Sequence, residues 1–214
     1  NIRFTNFIFT NYKRKYSIMN CANETYLDNL DFDCIGIVAK HCDLSKLCIG
    51  IDEAKTFDII PLFCFDFVND VLENWNLLED NQDYQKYKDL ICGGTYEVSG
   101  KTHFNMGFKK VWVYYSYARY LLLNQMNDTA NGAVTKQNDW SVPTPLKDVT
   151  AFSNKYRDMG KEAYHSVIGY LCNNKDIFTK FDGKNCKLNC GCYGNCECGN
   201  TKKITGFKFS TIKK

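Results

Sequence analysis

Apolar residues recur three or four positions apart along most of the chain, a spacing that predicts a largely helical protein. Asp43 precedes one such run and suits the N-cap of a helix over about 44–59. Pro61 suits the first turn of a second helix, and a third is predicted over about 83–91, where two glycines follow. The second helix is expected to bury a face formed by Leu62, Phe65, Val68, Leu72 and Trp75.

The spacing changes after the third helix. Residues 95–98 and 102–104 flank Ser99, Gly100 and Lys101, which predicts two antiparallel strands joined by a tight turn. This is the one hairpin that the sequence indicates clearly. Because two strands alone are marginally stable, the hairpin is expected to lean on the helices or on a neighbouring subunit.

The segment 108–123 is apolar nearly all round, which predicts a helix buried on most sides. Arg119 lies inside this segment, and a buried arginine needs a carboxylate partner. Asp52 or Glu53 is the expected partner, in an ion pair with a structural role.

The longest predicted helix begins with Thr144 as N-cap and Pro145 in its first turn, and ends near Asn173. Its core face is expected to contain Leu146, Val149, Phe152, Tyr156, Met159, Ala163, Val167 and Tyr170. Its outer face is expected to contain Asn154, Arg157, Asp158, Lys161, Glu162 and His165.

A polar loop over about 125–142 joins the two long helices. Loops of that length without structure are usually functional or disordered, and a tryptophan in a polar loop suits a partner's apolar pocket. The candidate interface residues in this loop are Asn127, Asp128, Thr129, Gly132, Lys136 and Trp140.

The predicted fold class is mainly α. A compact helical core with one small β-hairpin is expected to carry an extended N-terminal arm and a Cys-rich C-terminal tail. The expected divisions are a basic arm over 1–23, a helical domain over 24–180, a Cys-rich loop over 181–200 and a basic tail over 201–214.

Charge is distributed unevenly along the chain, whose net charge is +3. Residues 1–23 carry four basic side chains and residues 201–214 carry five, with no acid in either segment, which leaves 24–200 at −6. A weakly acidic body with two basic arms suits contacts with neighbouring subunits or with passing DNA, although basic termini are also common as solvated tails. Phe207 and Phe209 in the second arm are further interface candidates.

Twelve cysteines are present, and five of them crowd into residues 186–198. The other seven mostly lie among apolar residues, where they are interpreted as small buried hydrophobes. The N-terminus has no Ala-x-Ala-type cleavage site and no run of about 18 apolar residues occurs. A reducing cytoplasm without membrane insertion is therefore expected, and a disulfide scaffold is not.

The cysteine cluster is spaced Cys-x3-Cys-x-Cys-x3-Cys-x-Cys with interspersed glycines. Four thiolates bind zinc tetrahedrally and leave no open position for a substrate, so a metal here would be structural. The best tetrad is Cys190, Cys192, Cys196 and Cys198, with Cys186 spare. Unliganded or disulfide-linked thiols and an iron–sulfur cluster remain the alternatives.

Several blocks of sequence resemble head–tail connector proteins of crAss-like tailed bacteriophages. The blocks are LCIGIDEAKTFD at 47–58, KKVWVYYSYARY at 109–120, NDTANG at 127–132, VPTPL at 142–146 and FSNKYR at 152–157. They occur in the same order, and the match covers about 43–180.

The resemblance implies a virion protein that assembles in the cytoplasm of the bacterial host. Members of this kind form closed rings, often of twelve copies, that bind the portal protein and other connector or tail rings and line the channel for packaged DNA. Head-to-tail association of identical subunits closes into such a ring.

An enzymatic role is not expected. The chain lacks a phosphate-binding loop, a nucleophile elbow and a His-Glu-x-x-His motif, and His41, His103 and His165 lie in separate elements. The alternative function is a zinc-containing nucleic-acid-binding module built on the Cys-rich loop and the lysines and phenylalanines that follow it.

Overall fold

The structure is a computed structural model that describes residues 26–34, 44–129, 132–135 and 143–181. The predicted basic arm over 1–23, the Cys-rich loop beyond residue 181 and the basic tail over 201–214 lie outside these residues.

Helices dominate the described part of the chain, which confirms the predicted mainly α fold. A 3₁₀ helix spans Asn29–Cys34 and a π-helical segment spans Lys55–Ile59. The α-helices are α1 Leu44–Ala54, α2 Ile60–Phe63, α3 Phe65–Glu73, α4 Tyr84–Cys92, α5 Phe108–Gln125 and α6 Leu146–Asn173. The strands are β1 Gly94–Val98, β2 Lys101–Asn105, β3 Met126–Thr129 and β4 Gly132–Thr135.

Helix α5 lies at the centre, between α1 and α6. It is buried on most sides, as predicted, and the indole of the fully buried Trp112 donates a hydrogen bond to the Ile51 carbonyl of α1 over 3.1 Å. Glycines bring the helices close: a Cβ at Gly50 would lie 3.0 Å from the Ser116 carbonyl oxygen, and one at Gly160 would lie 2.9 Å from the Tyr115 ring.

Aromatic rings fill the space between α3, α5 and α6. Phe63 contacts the rings of Phe108 and Tyr164 at centroid distances of 4.9 and 5.0 Å. Phe67 contacts Phe181, at the end of the described chain, at 5.3 Å. Burial of such rings supplies the largest favourable term in folding.

Most of the apolar face predicted for the second helix is confirmed, since Val68 is buried and Leu62, Leu72 and Trp75 pack partly buried against the core. The helix is interrupted at Cys64, whose φ of 67° takes the chain out of the helical region, and α3 restarts at Phe65. The restart turns Phe65, the one member of the predicted face that is wrong, towards solvent, while Phe63, Phe67 and Val71 are buried in addition to Val68.

Helix α6 ends where predicted but begins one residue later, because Pro145 rather than Thr144 is its N-cap. Two predicted core residues are also wrong. Leu146 and Phe152 are exposed. Leu146 is the first residue of the helix, and the burial shifts to smaller residues on the same face, including Ser153 and Gly160. The hydroxyl of Ser153 donates to the Ala118 carbonyl at 2.8 Å, which accounts for a buried polar group at this position.

Two antiparallel hairpins are present among the described residues. The predicted one is confirmed as β1–β2, with Tyr96 opposite His103. The second, β3–β4, pairs Met126 with Thr135 and occupies part of the loop that the sequence predicted to lack structure. Its polar composition hid the strands, because Asn, Asp and Gly are depleted in β-structure.

Candidate functional site

The β1–β2 hairpin has one face against the protein and one face in solvent. Tyr96 stacks on His103 at 5.5 Å and meets Tyr170 of α6 edge-on at 5.3 Å. The opposite face presents Thr95, Glu97, Thr102 and Phe104, all of which are exposed. Phe104 is 62% exposed, so a large aromatic side chain stands on the outer face of the hairpin.

Two glycines close the base of this hairpin. Gly93 and Gly107 have φ values of 83° and 91°, a region that side-chain-bearing residues rarely adopt. A Cβ on Gly93 would lie 2.8 Å from the Gly107 amide nitrogen, and a Cβ on Gly107 would lie 2.6 Å from the Ile91 carbonyl oxygen. The chain therefore enters and leaves the hairpin through a backbone contact that only glycine fits.

Neutral hydrogen bonds hold the same base to the helices. The buried Asn105 side chain donates to the Asp89 carbonyl at 2.8 Å and accepts from the Gly107 amide at 3.0 Å. The Met106 amide donates to the Ser166 hydroxyl of α6 at 3.0 Å. The base of the hairpin is thus tied to α4 and to α6.

The contact between the hairpin and α6 is close on its inner face as well. A side chain at Gly169 would lie 3.0 Å from the Tyr96 hydroxyl. Burial raises the pKa of Tyr96 above its ordinary value. The tyrosine therefore stays neutral at physiological pH and supports the hairpin as a packed ring.

An open groove of about 640 Å³ lies beside the hairpin base. Its apolar lining comes from Met106, Tyr114, Ala151 and Met159, and its polar lining from Asn154, Lys155, Asp158 and Glu162. Methionine and aromatic residues are enriched at the centres of protein interfaces, and charged residues at their rims. The lining of the groove thus combines apolar residue types that are enriched at protein interfaces with four polar residues.

Arg119 forms the structural ion pair that the sequence predicted, with one change of partner. Its guanidinium lies 3.3 Å from Glu53, one of the two predicted carboxylates, and 2.6 Å from Asp58. Asp58, rather than Asp52, is the second partner. Arg157 of α6 contacts the other oxygen of Asp58 at 3.2 Å, so this arginine does not belong to the predicted outer face.

The π-helical segment explains why Asp58 was missed. In an α-helix, residues five apart point about 140° away from each other. In a π turn, the bonds join residues five apart, as in the bond from the Ile60 amide to the Lys55 carbonyl. Glu53 and Asp58 thereby reach the same guanidinium, which α-helical spacing does not suggest.

Burial and the neighbouring carboxylates have opposite effects on the pKa of Arg119. Burial by itself lowers the pKa of Arg119, but the hydrogen bond and charge of Asp58, followed by those of Glu53, outweigh burial and raise it. The Phe57 ring lies 5.4 Å from the Arg119 guanidinium. Nearby, burial and the charge of Asp58 raise the pKa of Tyr115 to about 12. The network fastens α6 to the π-helical segment and to α5.

The other predicted site residues lie partly in the second hairpin and partly outside the described residues. Asn127, Asp128 and Thr129 lie in β3 and Gly132 begins β4. The remaining interface candidates and the candidate metal ligands lie outside the described residues: Lys136, Trp140, Phe207, Phe209, Cys186, Cys190, Cys192, Cys196 and Cys198.

Cysteine burial follows the prediction in part. Cys48 is buried, and Cys64 and Cys172 are half-buried, but Cys92 is exposed at the end of α4. Within 26–34, 44–129, 132–135 and 143–181, no group of three or more metal-binding side chains comes together. In the same part of the chain, no helix is long and apolar enough to cross a membrane.

Phe104 and the groove were not identified from the sequence as a site. The signal for Phe104 was present, because an isolated two-stranded ribbon covers one face and leaves the other to solvent. No signal marked the groove, since Met106 and Tyr114 meet α6 only after the chain has folded.

The described residues define a mainly helical domain with a rigidly based hairpin and a neighbouring apolar groove. A model of a family of unknown function (DUF6712) matches residues 59–190, more than half of the chain. The chain belongs to this family. No curated protein and no solved structure matches it.

Proposed function

We propose that this protein is a structural subunit of a closed ring in the head–tail connector of a tailed bacteriophage. In this role it has no enzymatic activity and joins the portal protein to other connector or tail rings around packaged DNA. The observation that carries the proposal is the exposed Phe104 on a hairpin whose base is hydrogen-bonded to two helices, α4 and α6. The sequence resemblance to connector proteins supports it.

A ring of identical subunits requires two different surfaces that fit each other. The outer face of the hairpin supplies a projecting aromatic side chain, and the groove beside α6 supplies a recess with two methionines and a tyrosine. A projection gains affinity from being rigid, because no ordering entropy is lost on binding. The Gly93–Gly107 contact and Asn105 provide that rigidity in the free subunit.

Native mass spectrometry of the purified full-length chain tests the proposal. A discrete multimer, near twelve copies, is expected, and replacement of Phe104 by Asp should reduce its yield severely while the thermal unfolding of the subunit stays the same. Leu30→Asp, which also places a charge at an exposed apolar position, is the matched control and should leave the multimer intact.

A chain that stays monomeric, even with portal protein added, would overturn the connector proposal. Metal content measured on the same sample tests the separate prediction for the Cys-rich loop. One zinc per chain would support a structural zinc site at Cys190, Cys192, Cys196 and Cys198.

A further inference from the structure

The outer face of α3 and the following turn form an acidic surface with exposed apolar residues. Between residues 56 and 85 the chain has seven acidic residues and no basic one. Asp66 and Glu73 lie exposed on α3, and Glu79 and Asp80 lie exposed in the turn to α4. Phe65 and Leu78 on this acidic surface are 58% and 73% exposed.

Few cationic side chains of the described residues lie close to these carboxylates. Of the acids from Asp66 to Asp83, Asp83 alone has a described cation within 4 Å, namely Lys86 at 3.9 Å. Tyr87, beside them, has a raised pKa because of burial first, then its hydrogen bond to Asp70, and then the charges of Asp70, Asp83 and Glu73. The acidic surface therefore carries a concentrated negative potential.

The C-terminal sequence has the complementary composition. Residues 201–214 contain five lysines and no acid, and four large apolar residues alternate with them: Ile204, Phe207, Phe209 and Ile212. A segment of this kind matches a surface on which exposed apolar side chains stand among carboxylates, because both its charge and its apolar side chains find counterparts there.

The chain leaves the described structure at helix α3, which carries this surface. Phe181, the last described residue, packs against Phe67 on the buried side of α3 at a ring distance of 5.3 Å. Residues 182–200 separate it from the basic segment, and an extended chain of that length spans up to about 65 Å. Helix α3, with nine residues, is only about 13 Å long, so the segment reaches every part of the acidic surface.

We propose that the acidic surface of α3 and the α3–α4 turn binds the basic C-terminal segment 201–214 of the same chain. The lysines lie against Asp66, Glu73, Glu79 and Asp80, and the apolar side chains cover Phe65 and Leu78. Attachment through residues 182–200 makes the contact intramolecular, which raises its effective concentration. This assignment does not depend on ring formation.

Carbodiimide cross-linking of the full-length chain, which joins lysine to carboxylate directly, tests the proposal. Links are mapped by peptide mass spectrometry in the band that runs as a single chain on a denaturing gel, because every link in that band lies within one copy. Links from the lysines of 201–214 to Glu79 and Asp80 are expected to dominate over links to Asp33 and Asp148, two exposed acids that lie outside both the acidic surface and the groove.

A double variant, Asp66→Asn with Glu73→Gln, removes charge without touching the reporting carboxylates. It should lower the yield of links to Glu79 and Asp80 roughly threefold, the effect of losing a surface ion pair of ordinary strength. The matched control, Asp33→Asn with Asp148→Asn, should leave that yield unchanged. Links spread evenly over Asp33, Glu79, Asp80 and Asp148, or found only between copies, would overturn the proposal whether or not the chain forms a ring.

Discussion

Helix α6 is fastened to the rest of the protein in two ways. Near its middle, Arg157 shares Asp58 with Arg119, so the fastening is ionic. Further along, Ser166 accepts a hydrogen bond from the Met106 amide at the base of the hairpin, so the fastening is neutral. The first joins α6 to the π-helical segment and the second joins it to the hairpin.

The two fastenings respond to different conditions. An ion pair depends on the protonation of its members and on salt. The hydrogen bond between the Met106 amide and the Ser166 hydroxyl joins two groups that carry no charge, so it changes little with pH or salt. The hairpin, which carries the proposed interface, is therefore held by the contact that depends little on pH and salt.

The largest effect is expected at Gly107, the residue next to the Met106 amide of the neutral fastening. Gly107→Ala places a Cβ within 2.8 Å of three backbone atoms at a φ of 91°. It should lower the free energy of unfolding by about 3–5 kcal/mol, measured by urea denaturation.

Gly100→Ala is the control at the hairpin tip. Its φ is also positive, at 73°, but no atom lies within 4 Å of the added Cβ. A loss of about 1–2 kcal/mol is expected from the backbone conformation alone. Equal losses in the free energy of unfolding for Gly100→Ala and Gly107→Ala would contradict the close contact at the base of the hairpin.

The second largest effect is expected from breaking the ionic fastening. Asp58→Asn leaves two partly buried arginines without their shared carboxylate and should cost about 3 kcal/mol, the lower end for a broken buried pair. Glu53→Gln, at a more exposed carboxylate, should cost less than about 1 kcal/mol. Urea denaturation of both variants at low and high salt measures the difference.

A smaller effect is expected from weakening the neutral fastening at Ser166. Ser166→Ala removes the acceptor of the Met106 amide and should cost about 1–2 kcal/mol, with no dependence on pH between about 5 and 9. Thr150→Ala, which removes an exposed hydroxyl bonded within α6, should be close to neutral. A strong pH dependence of the Ser166 effect would break the distinction between the two fastenings.

The smallest effect at neutral pH is expected at Tyr115, beside the ionic fastening. Burial, and then the charge of Asp58, raises the pKa of Tyr115 from its ordinary value of 10.0 to about 12 in the folded protein. Above about pH 10 the unfolded chain loses this proton first, so the free energy of unfolding should fall between about pH 10 and pH 12. In Tyr115→Phe that fall should be shallower, as measured by unfolding at each pH; identical profiles would contradict the shift.

Much of the fold followed from local sequence signals. The bounds of α6, the buried α5 and the β1–β2 hairpin were predictable because periodicity and turn residues act over a few positions. The break at Cys64 and the π-helical segment were not, since ordinary residues occupy both and the surrounding packing imposes the geometry. The groove was missed for a related reason: its lining residues are distant in sequence and meet only through the packing of α5 on α6.

The contact between Gly93 and Gly107 also bears on how this chain can change over evolution. Because the chain leaves the helical body and returns to it at nearly the same point, residues 94–106 behave as an insertion. Their outer side chains can be replaced without altering the helical core. The outer face of this hairpin can thus vary in sequence while the two glycines are retained.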